Sequence, residues 1–297
     1  MNEGRLPDFV IIGAMKSATS TLYQWLRARP DVHMAHPKET NYFAVPKWWD
    51  QGIDWYTGQF AGATQSQLAG EASVIYTSPQ YADVAAARMA EALPRARLIY
   101  IVREPIQRLR SHYRHEAQRH RETRSLLECL AEPGNTYLGH SMYHARLEPY
   151  LRLFPREQIL VLRFEDFVKA PHPAWTEAQR FLGLPEQPAV GTAYNVTADK
   201  TQWTKTLLWM REHEVFTFAR AAKLPKPIRR VGKRVFTRGG DTFREVLDES
   251  DRAIPEELVR PAWDDLARLE AWLGVERPLW PRHAKDRENQ PRTSETA

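Results

Sequence analysis

Residues 13–22 read Gly-Ala-Met-Lys-Ser-Ala-Thr-Ser-Thr-Leu, which sets one glycine, one lysine and four hydroxyls within ten positions. The apolar run 9–12 before them reads as a strand buried on both faces. Leu22, Trp25 and Leu26 after them carry the spacing of a helix. A strand, a tight turn and a helix start make an anion site, because the unpaired N–H groups of the first helical turn and the helix dipole converge on one spot. Lys16 adds a full positive charge there, and Ser17, Thr19, Ser20 and Thr21 offer hydroxyls. The stretch reads as a phosphate cradle. Gly13 breaks the strand; at Ala18 the small side chain permits close approach to a ligand, while its Cβ argues against a left-handed turn. The blander reading is a helix start with scattered hydroxyls and a solvent-facing lysine.

Ligands of parallel α/β sheets sit outside the carboxyl ends of the strands, so other buried strands should also end in ligand groups. The run Arg97–Val102 ends in Arg103, and Ser111 lies eight residues further on, two turns into a helix that Pro105 opens. Guanidinium binds phosphate through paired N–H donors, and a hydroxyl completes the shell. The alternative for Arg103 is a structural ion pair with Glu104 or Asp166. Two anion sites at matching places imply a ligand with two separated phosphates.

The elements that would position these groups follow from periodicity. Runs 9–12, 97–102 and 158–162 read as buried strands, and 31–35 as a short extended piece. Helical patterns occupy 79–93, the segment opened by Pro105, 143–154, 173–182 up to Gly183, and 255–273 up to Gly274. Such alternation is the pattern of βαβ units. The expected fold is α/β and P-loop-like, three layers with a central, mostly parallel sheet flanked by helices and a helical C-terminal part. Residues 70–73 follow a brief apolar stretch and receive no element. Segment 46–60, with three tryptophans, is either packed on the core or part of an acceptor wall. Segment 114–124 reads as a solvated charged face. Beyond 190 come a polar loop to 203, a helix at 204–222 and a basic stretch at 223–240, which is a loop over an anion or an exposed linker. We expect one domain over 1–280, with a core at 8–183 and a helical portion at 190–280, and a disordered tail at 281–297.

Composition narrows the class. The 297 residues, 42% hydrophobic with 10 tryptophans, suffice for a sizeable core. A net charge of +5 suits an anionic ligand but is too small and dispersed for nucleic acid. The single cysteine, Cys129, excludes an internal disulfide and a cysteine metal cluster. It fits a reducing compartment. Residues 1–8 show no secretory signal, and nowhere do 18 apolar residues run together, so the expectation is a soluble cytoplasmic protein with no membrane span. No carboxylate cluster suggests a metal.

The loop does not fit the nucleotidase pattern G-x-x-x-x-G-K-[ST], since Lys16 follows Gly13 by three residues and no Gly-Lys-Ser/Thr closes it. It resembles the 5′-phosphosulfate loop of sulfotransferases, G-x-x-K-x-G-T-T-x-L, through Gly13, Lys16, Thr19, Ser20, Thr21 and Leu22, with Ala18 where relatives often carry glycine. Arg103, Pro105, Arg108, Ser111 and Tyr113 resemble the family's 3′-phosphate signature. Leu269, Glu270, Leu273, Gly274 and Trp280 resemble its closing pattern. The motifs are closest to the heparan sulfate, Golgi-type carbohydrate sulfotransferases and their soluble bacterial relatives.

This resemblance implies metal-independent, in-line sulfuryl transfer from 3′-phosphoadenosine 5′-phosphosulfate (PAPS) to a hydroxyl or amine of a carbohydrate or small-metabolite acceptor. It implies that Gly13, Lys16, Ser17, Ala18, Thr19, Ser20 and Thr21 hold the 5′-phosphosulfate, and that Arg103 and Ser111 hold the 3′-phosphate. Lys200 would cover that phosphate from a loop, with Arg238-Gly239-Gly240 competing for the role. The acceptor must lose a proton, which requires a general base. Glu39, in Lys-Glu-Thr-Asn-Tyr-Phe, resembles the glutamate taken as the base in the Golgi sugar enzymes. His36 is the rival, His33 and His112 are weaker, and His112 reads as a packed or capping residue. Glu71 is a candidate to orient Glu39 or bind acceptor, and Ala72 stands where relatives with Glu-Lys-[ST] carry lysine. Two alternatives remain: a P-loop-type kinase using ATP–Mg²⁺, and a non-catalytic nucleotide-binding or nucleic-acid-binding module. The missing Gly-Lys-Ser/Thr argues against the first. The single aromatic of the basic stretch, Phe236, argues against a nucleic-acid surface.

Overall fold

The structure, a computed structural model, describes residues 4–170, 172–189, 246 and 248–282. The expected loop with Lys200, the helix at 204–222, the basic stretch with Arg238-Gly239-Gly240 and the tail beyond 282 lie outside the described residues.

Strand β1 (Phe9–Gly13) is the middle of a five-stranded sheet ordered β2-β3-β1-β4-β5, every pairing parallel. The others are β2 (Val32–Met34), β3 (Leu68–Ala72), β4 (Arg97–Val102) and β5 (Ile159–Arg163). Successive side chains of a strand point to opposite faces. Val10, Ile12, Leu98, Tyr100 and Val102 therefore enter one core, and Phe9, Ile11, Ile99 and Ile101 the other. Helix α1 (Thr19–Arg27) covers the second face with Leu22, Trp25 and Leu26, joined by Trp175 and Ala178 of α10 (Pro173–Leu182). The first face lies under α4 (Ala82–Ala92), α8 (Tyr143–Leu151) and α11 (Glu256–Leu273), through Met89, Leu147, Tyr150, Leu266 and Leu269. Both faces are covered, as an all-parallel sheet requires. The expected three-layer α/β architecture is the one observed.

Strand β3 is the strand that sequence periodicity missed, as it missed the short helices at Leu126–Ala131, Thr136–Gly139 and Glu165–Val168. Its residues, Leu-Ala-Gly-Glu-Ala, form no apolar run, yet it lies between β2 and β1. Its neighbours dictate the small side chains: a Cβ on Gly70 would stand 2.1–2.5 Å from three carbons of the Phe9 ring. Helix α4 starts at Ala82 rather than 79, after a 3₁₀ turn at Val74–Thr77 and a further turn through Tyr81, and α8 ends at Leu151, short of 154.

Short helices α2 (Pro46–Trp49) and α3 (Gly52–Gly58) precede β3. Helix α5 (Pro105–Gln118), α6 (Leu126–Ala131) and α7 (Thr136–Gly139) bury a smaller cluster of Leu109, Tyr113, Leu126 and Tyr137. The charged segment after 114 is less solvated than expected. Arg114 reaches the Ser250 hydroxyl and the Asp251 carboxylate, and Arg110 donates to the Ser250 and Arg252 carbonyls. Another short helix, α9 (Glu165–Val168), follows β5. Asp265 of α11 accepts from the N–H groups of His144 (2.7 Å) and Ala145 (2.9 Å), satisfying orphan donors at the start of α8. Among the described residues no helix is long and apolar enough to cross a membrane.

Candidate active site

Parallel pairing brings the carboxyl ends of β3, β1 and β4 to one edge of the sheet. The chain leaves β1 under tight packing. A Cβ on Gly13 would lie 2.1 Å from Thr77 Oγ1, which donates to the Ile12 carbonyl at 3.0 Å. Ala14 N–H then bonds the Ile101 carbonyl of β4 at 2.8 Å. The loop curls through Lys16 (φ 70°) and Ala18 (φ 63°), both left-handed. This corrects the expectation for Ala18. It is the N-cap residue, and its carbonyl accepts from Thr21 (2.9 Å) and Leu22 (3.1 Å), so the chain must enter the helix directly from the turn. A left-handed backbone costs an L-residue about 1–2 kcal/mol, which other contacts must offset. The N–H groups of Thr19 and Ser20, in the first turn of α1, have no intrahelical partner by construction. Ser17 is wholly buried, and its Oγ has no hydrogen-bond partner among the described residues.

Arg103 leaves β4 beside this loop. Its Nη1 donates to the Lys16 carbonyl at 3.4 Å, and its Cζ lies 4.2 Å from the Phe164 ring centroid. The Tyr143 hydroxyl fixes its backbone, donating to the Arg103 carbonyl (2.8 Å) and accepting from its N–H (3.3 Å). The expected ion-pair alternatives are otherwise engaged: Glu104 caps α5 by accepting from Gln107 N–H, and Asp166 lies 3.8 Å from Arg163. Burial holds the Arg103 pKa below the ordinary guanidinium value, with the nearby charge of Glu165 opposing that shift. The site thus carries a partly desolvated cation.

Ser111 is buried on α5. Its neighbour His112 packs edge-on against Tyr137 and His140, as the packed reading of that histidine anticipated. Burial, with the charges of Arg108, His140 and Lys16 added, pushes His112 well below the usual imidazole range. Arg108 is structural: fully buried, it donates to Ser141 Oγ (2.7 Å) and to the Tyr137 carbonyl, and desolvation lowers its pKa to about 10.

On the other side of β1, the chain after β2 returns to β3 twice. Ala35 N–H bonds the Gly70 carbonyl (2.9 Å) and Glu39 N–H the Ala72 carbonyl (3.1 Å), so residues 36–38 arch away between the two anchors. Glu39 is exposed, left-handed (φ 71°) and paired with Lys38 Nζ at 2.8 Å. His36 is exposed and His33 half-buried. Glu71 on β3 is fully buried and accepts from Tyr76 (2.8 Å), Tyr56 (3.0 Å), Ser73 (3.2 Å) and Thr40. Burial raises its carboxyl pKa, against the lowering effect of those hydroxyls. The extent of this hub escaped sequence reasoning; the usable signal was an acidic residue between Gly70 and Ala72, since a carboxylate beside such small residues in a core needs donors.

Segment 46–60 resolves mainly as core packing. Tyr42, Phe43, Tyr56, Phe60 and Tyr76 form a buried aromatic cluster. Trp48 and Trp55, half-buried, stack at 5.2 Å and 14° on its outer side. Among the described residues no group of three or more His, Cys, Asp or Glu is arranged for a metal ion.

Residues 6–226 match the family model for the sulfotransferase domain. The chain belongs to the sulfotransferase family. It is 28% identical over 194 residues to the heparan sulfate glucosamine 3-O-sulfotransferase 3A1 of Mus musculus, covering 62% of this chain and 48% of that protein. It is 26% identical over 202 residues to the bifunctional heparan sulfate N-deacetylase/N-sulfotransferase 2 of Homo sapiens, covering 61% and 22%. The matches span about half of the first relative's length and about a fifth of the second's. Among solved structures, a sulfotransferase from Alicyclobacillus acidocaldarius superposes with a TM-score of 0.63 at 26% identity, covering 92% of this chain and 98% of that one. The P-loop-like α/β sheet is common to both. The kinase alternative finds no support in these matches.

Proposed function

We propose that this sulfotransferase-family chain transfers a sulfuryl group from PAPS to a hydroxyl or amine of a carbohydrate or small-metabolite acceptor, without a metal. The observation that carries this reading is the convergence of the two motif segments at the ends of adjacent strands: the Arg103 guanidinium, after β4, reaches the backbone carbonyl of Lys16 (3.4 Å) in the loop that leaves β1, beside the first turn of α1. The residues fit a bisphosphorylated donor. Ser17 Oγ is buried without a partner among the described residues, and Arg103 holds a partly desolvated charge that a phosphate would neutralise.

When bound, the donor supplies the sulfuryl group, and negative charge grows on the departing 5′-phosphate. Lys16 and the N–H groups of Thr19 and Ser20 would stabilise that charge from preorganised positions, where such groups are worth most. Arg103 and Ser111 would bind the 3′-phosphate, and Lys200 would cover it. Glu39 would take the acceptor's proton. It hangs from the end of β3, and β3 and β4 flank β1 on opposite sides. The stacked Trp48–Trp55 pair lies next to this segment and offers an aromatic face to a sugar ring. Glucosamine-containing oligosaccharides are the first acceptors to try, since the similar curated enzymes carry heparan sulfate in their names.

The test is acceptor-dependent release of adenosine 3′,5′-bisphosphate from PAPS in the presence of chelator, for wild type and Lys16→Ala. Release that Lys16→Ala abolishes supports the reading. Calorimetric preference for ATP–Mg²⁺ over the bisphosphate overturns it, and bisphosphate binding with no release from any acceptor panel leaves a non-catalytic nucleotide-binding module.

A further inference from the structure

Glu71 is 0% exposed, and its carboxylate meets hydroxyls from four residues, Thr40, Ser73, Tyr56 and Tyr76. Two carboxylate oxygens offer about four acceptor positions, so these donors fill the group. No ammonium or guanidinium is among those partners. A buried carboxylate without a counter-ion is expensive to desolvate, and a core that needed only volume at this position would place an apolar side chain there.

What the carboxylate holds explains its presence. Thr40 lies between Glu39 (φ 71°) and Asn41 (φ 57°), two left-handed residues without glycine's freedom. Backbone strain of this kind costs about 1–3 kcal/mol per residue and persists only where surroundings over-determine it. Thr40 Oγ1 donates to Glu71, and Ser73 Oγ, which also donates to Glu71, accepts Asn41 N–H at 3.1 Å. The third tie is Glu39 N–H to the Ala72 carbonyl. Two of the three bonds fastening residues 39–41 to β3 thus run through the Glu71 carboxylate. Tyr42 then stacks on Tyr56, itself a Glu71 donor, at 4.6 Å and 14°.

We propose that Glu71 is a positioning residue, which fixes the strained backbone of residues 39–41 through Thr40 and Ser73 and so aims the Glu39 carboxylate at the acceptor. The proposal rests on the base role of Glu39 given above. A carboxylate only accepts, so all four hydroxyls can donate to it at once; the amide of glutamine brings an NH₂ that must itself find an acceptor, and the tie to Thr40 is lost or reversed.

Turnover and bisphosphate affinity of Glu71→Gln, Thr40→Val, Thr40→Ser, Glu39→Gln and the Glu39→Gln/Glu71→Gln double variant test this. A displacement of about 1 Å at a reacting group costs on the order of 100-fold, so Glu71→Gln and Thr40→Val are expected to lose roughly 10- to 100-fold in kcat. Bisphosphate affinity should stay within about twofold, because the donor groups lie on β1, β4 and α5. Thr40→Ser, which keeps the hydroxyl, should retain turnover. The double variant should be no slower than Glu39→Gln alone, because a residue acting through another adds nothing once that other is gone. Additive losses in the double variant, or full turnover in folded Thr40→Val, overturn the proposal. Full turnover in Glu39→Gln instead overturns the base assignment on which it stands.

Discussion

Replacing Arg103 by alanine separates a ligand-binding arginine from a structural one. Hydrogen bonds to charged groups contribute about 1.5–3 kcal/mol, and at about 1.4 kcal/mol per factor of ten the variant should bind adenosine 3′,5′-bisphosphate roughly 10- to 150-fold more weakly. Stability should barely change. The guanidinium is half-buried, burial disfavours its charge, and its direct contacts are the Lys16 carbonyl and the Phe164 ring rather than a carboxylate. Losing the Phe164 contact costs about 0.5–1 kcal/mol, and relief of desolvation opposes it. At roughly 2–4 °C per kcal/mol, Tm should move by no more than about 4 °C. Breaking a buried ion pair would instead cost about 3–5 kcal/mol, a fall of order 10 °C. Calorimetric titration with the bisphosphate and with adenosine 5′-phosphate, alongside thermal unfolding, reads both quantities. Weakening confined to the bisphosphate supports the assignment. Equal weakening toward both nucleotides, or a Tm drop near 10 °C, refutes it.

Three further outcomes are expected. Glu39→Gln should lower kcat by about 100-fold, within the range general bases contribute, with bisphosphate affinity held within about twofold; undiminished turnover would move the role to His36, which His36→Ala would then reveal. Gly70→Ala drives a Cβ into the Phe9 ring and should destabilise by about 1–3 kcal/mol, read as a lower urea midpoint and restored in part by adding Phe9→Leu; an unchanged midpoint contradicts the β1–β3 packing. Burial and the charges of Arg108 and Arg146 push His140 down to about 3, and His112 is likewise lowered from 6.5. Both rings are neutral when folded and take a proton on unfolding below the ordinary value, so their contribution is complete above pH 6.5 and fades as pH falls from there toward about 3. His140→Gln should flatten that part of the urea midpoint–pH curve, and an identical slope in the variant would refute the burial argument.

The parts of this molecule that follow local rules were legible in the sequence. β1, β4 and β5 announce themselves as apolar runs because both sheet faces are covered, and Gly183 and Gly274 mark helix ends where each takes a left-handed backbone. Arg103 was singled out by topology, since ligands of parallel sheets sit outside the carboxyl ends of the strands, and the structure sets it directly after β4 beside the loop that leaves β1. β3 was not legible, because Gly70 answers to Phe9 and Glu71 answers to Thr40, Ser73, Tyr56 and Tyr76, all of them contacts that sequence spacing does not encode. The tryptophans of 46–60 were visible, but their division between core and surface depends on Tyr42 and Tyr56, which only the fold brings beside them.

Backbone strain follows the same logic. The non-glycine residues with positive φ among those described are Lys16, Ala18, Glu39, Asn41, His120 and His172, and the first four lie in the two segments that reading the chemistry had singled out. Lys16 and Glu39 have no local sequence reason to be left-handed, Ala18 had one against it, and of the four only Asn41 is a type that tolerates it readily. Each segment is instead held from outside: the first by Ala14 N–H on the Ile101 carbonyl of β4, the second by Glu71, Ser73 and the Ala72 carbonyl. The strands on either side of β1 therefore do more than support it. They force the cradle and the Glu39 segment into conformations the isolated peptides would leave, so both stand ready before any ligand arrives. Strain gathered in these two segments, four of the six such residues among those described, is what electrostatic preorganisation would demand of a site that stabilises developing charge without rearranging.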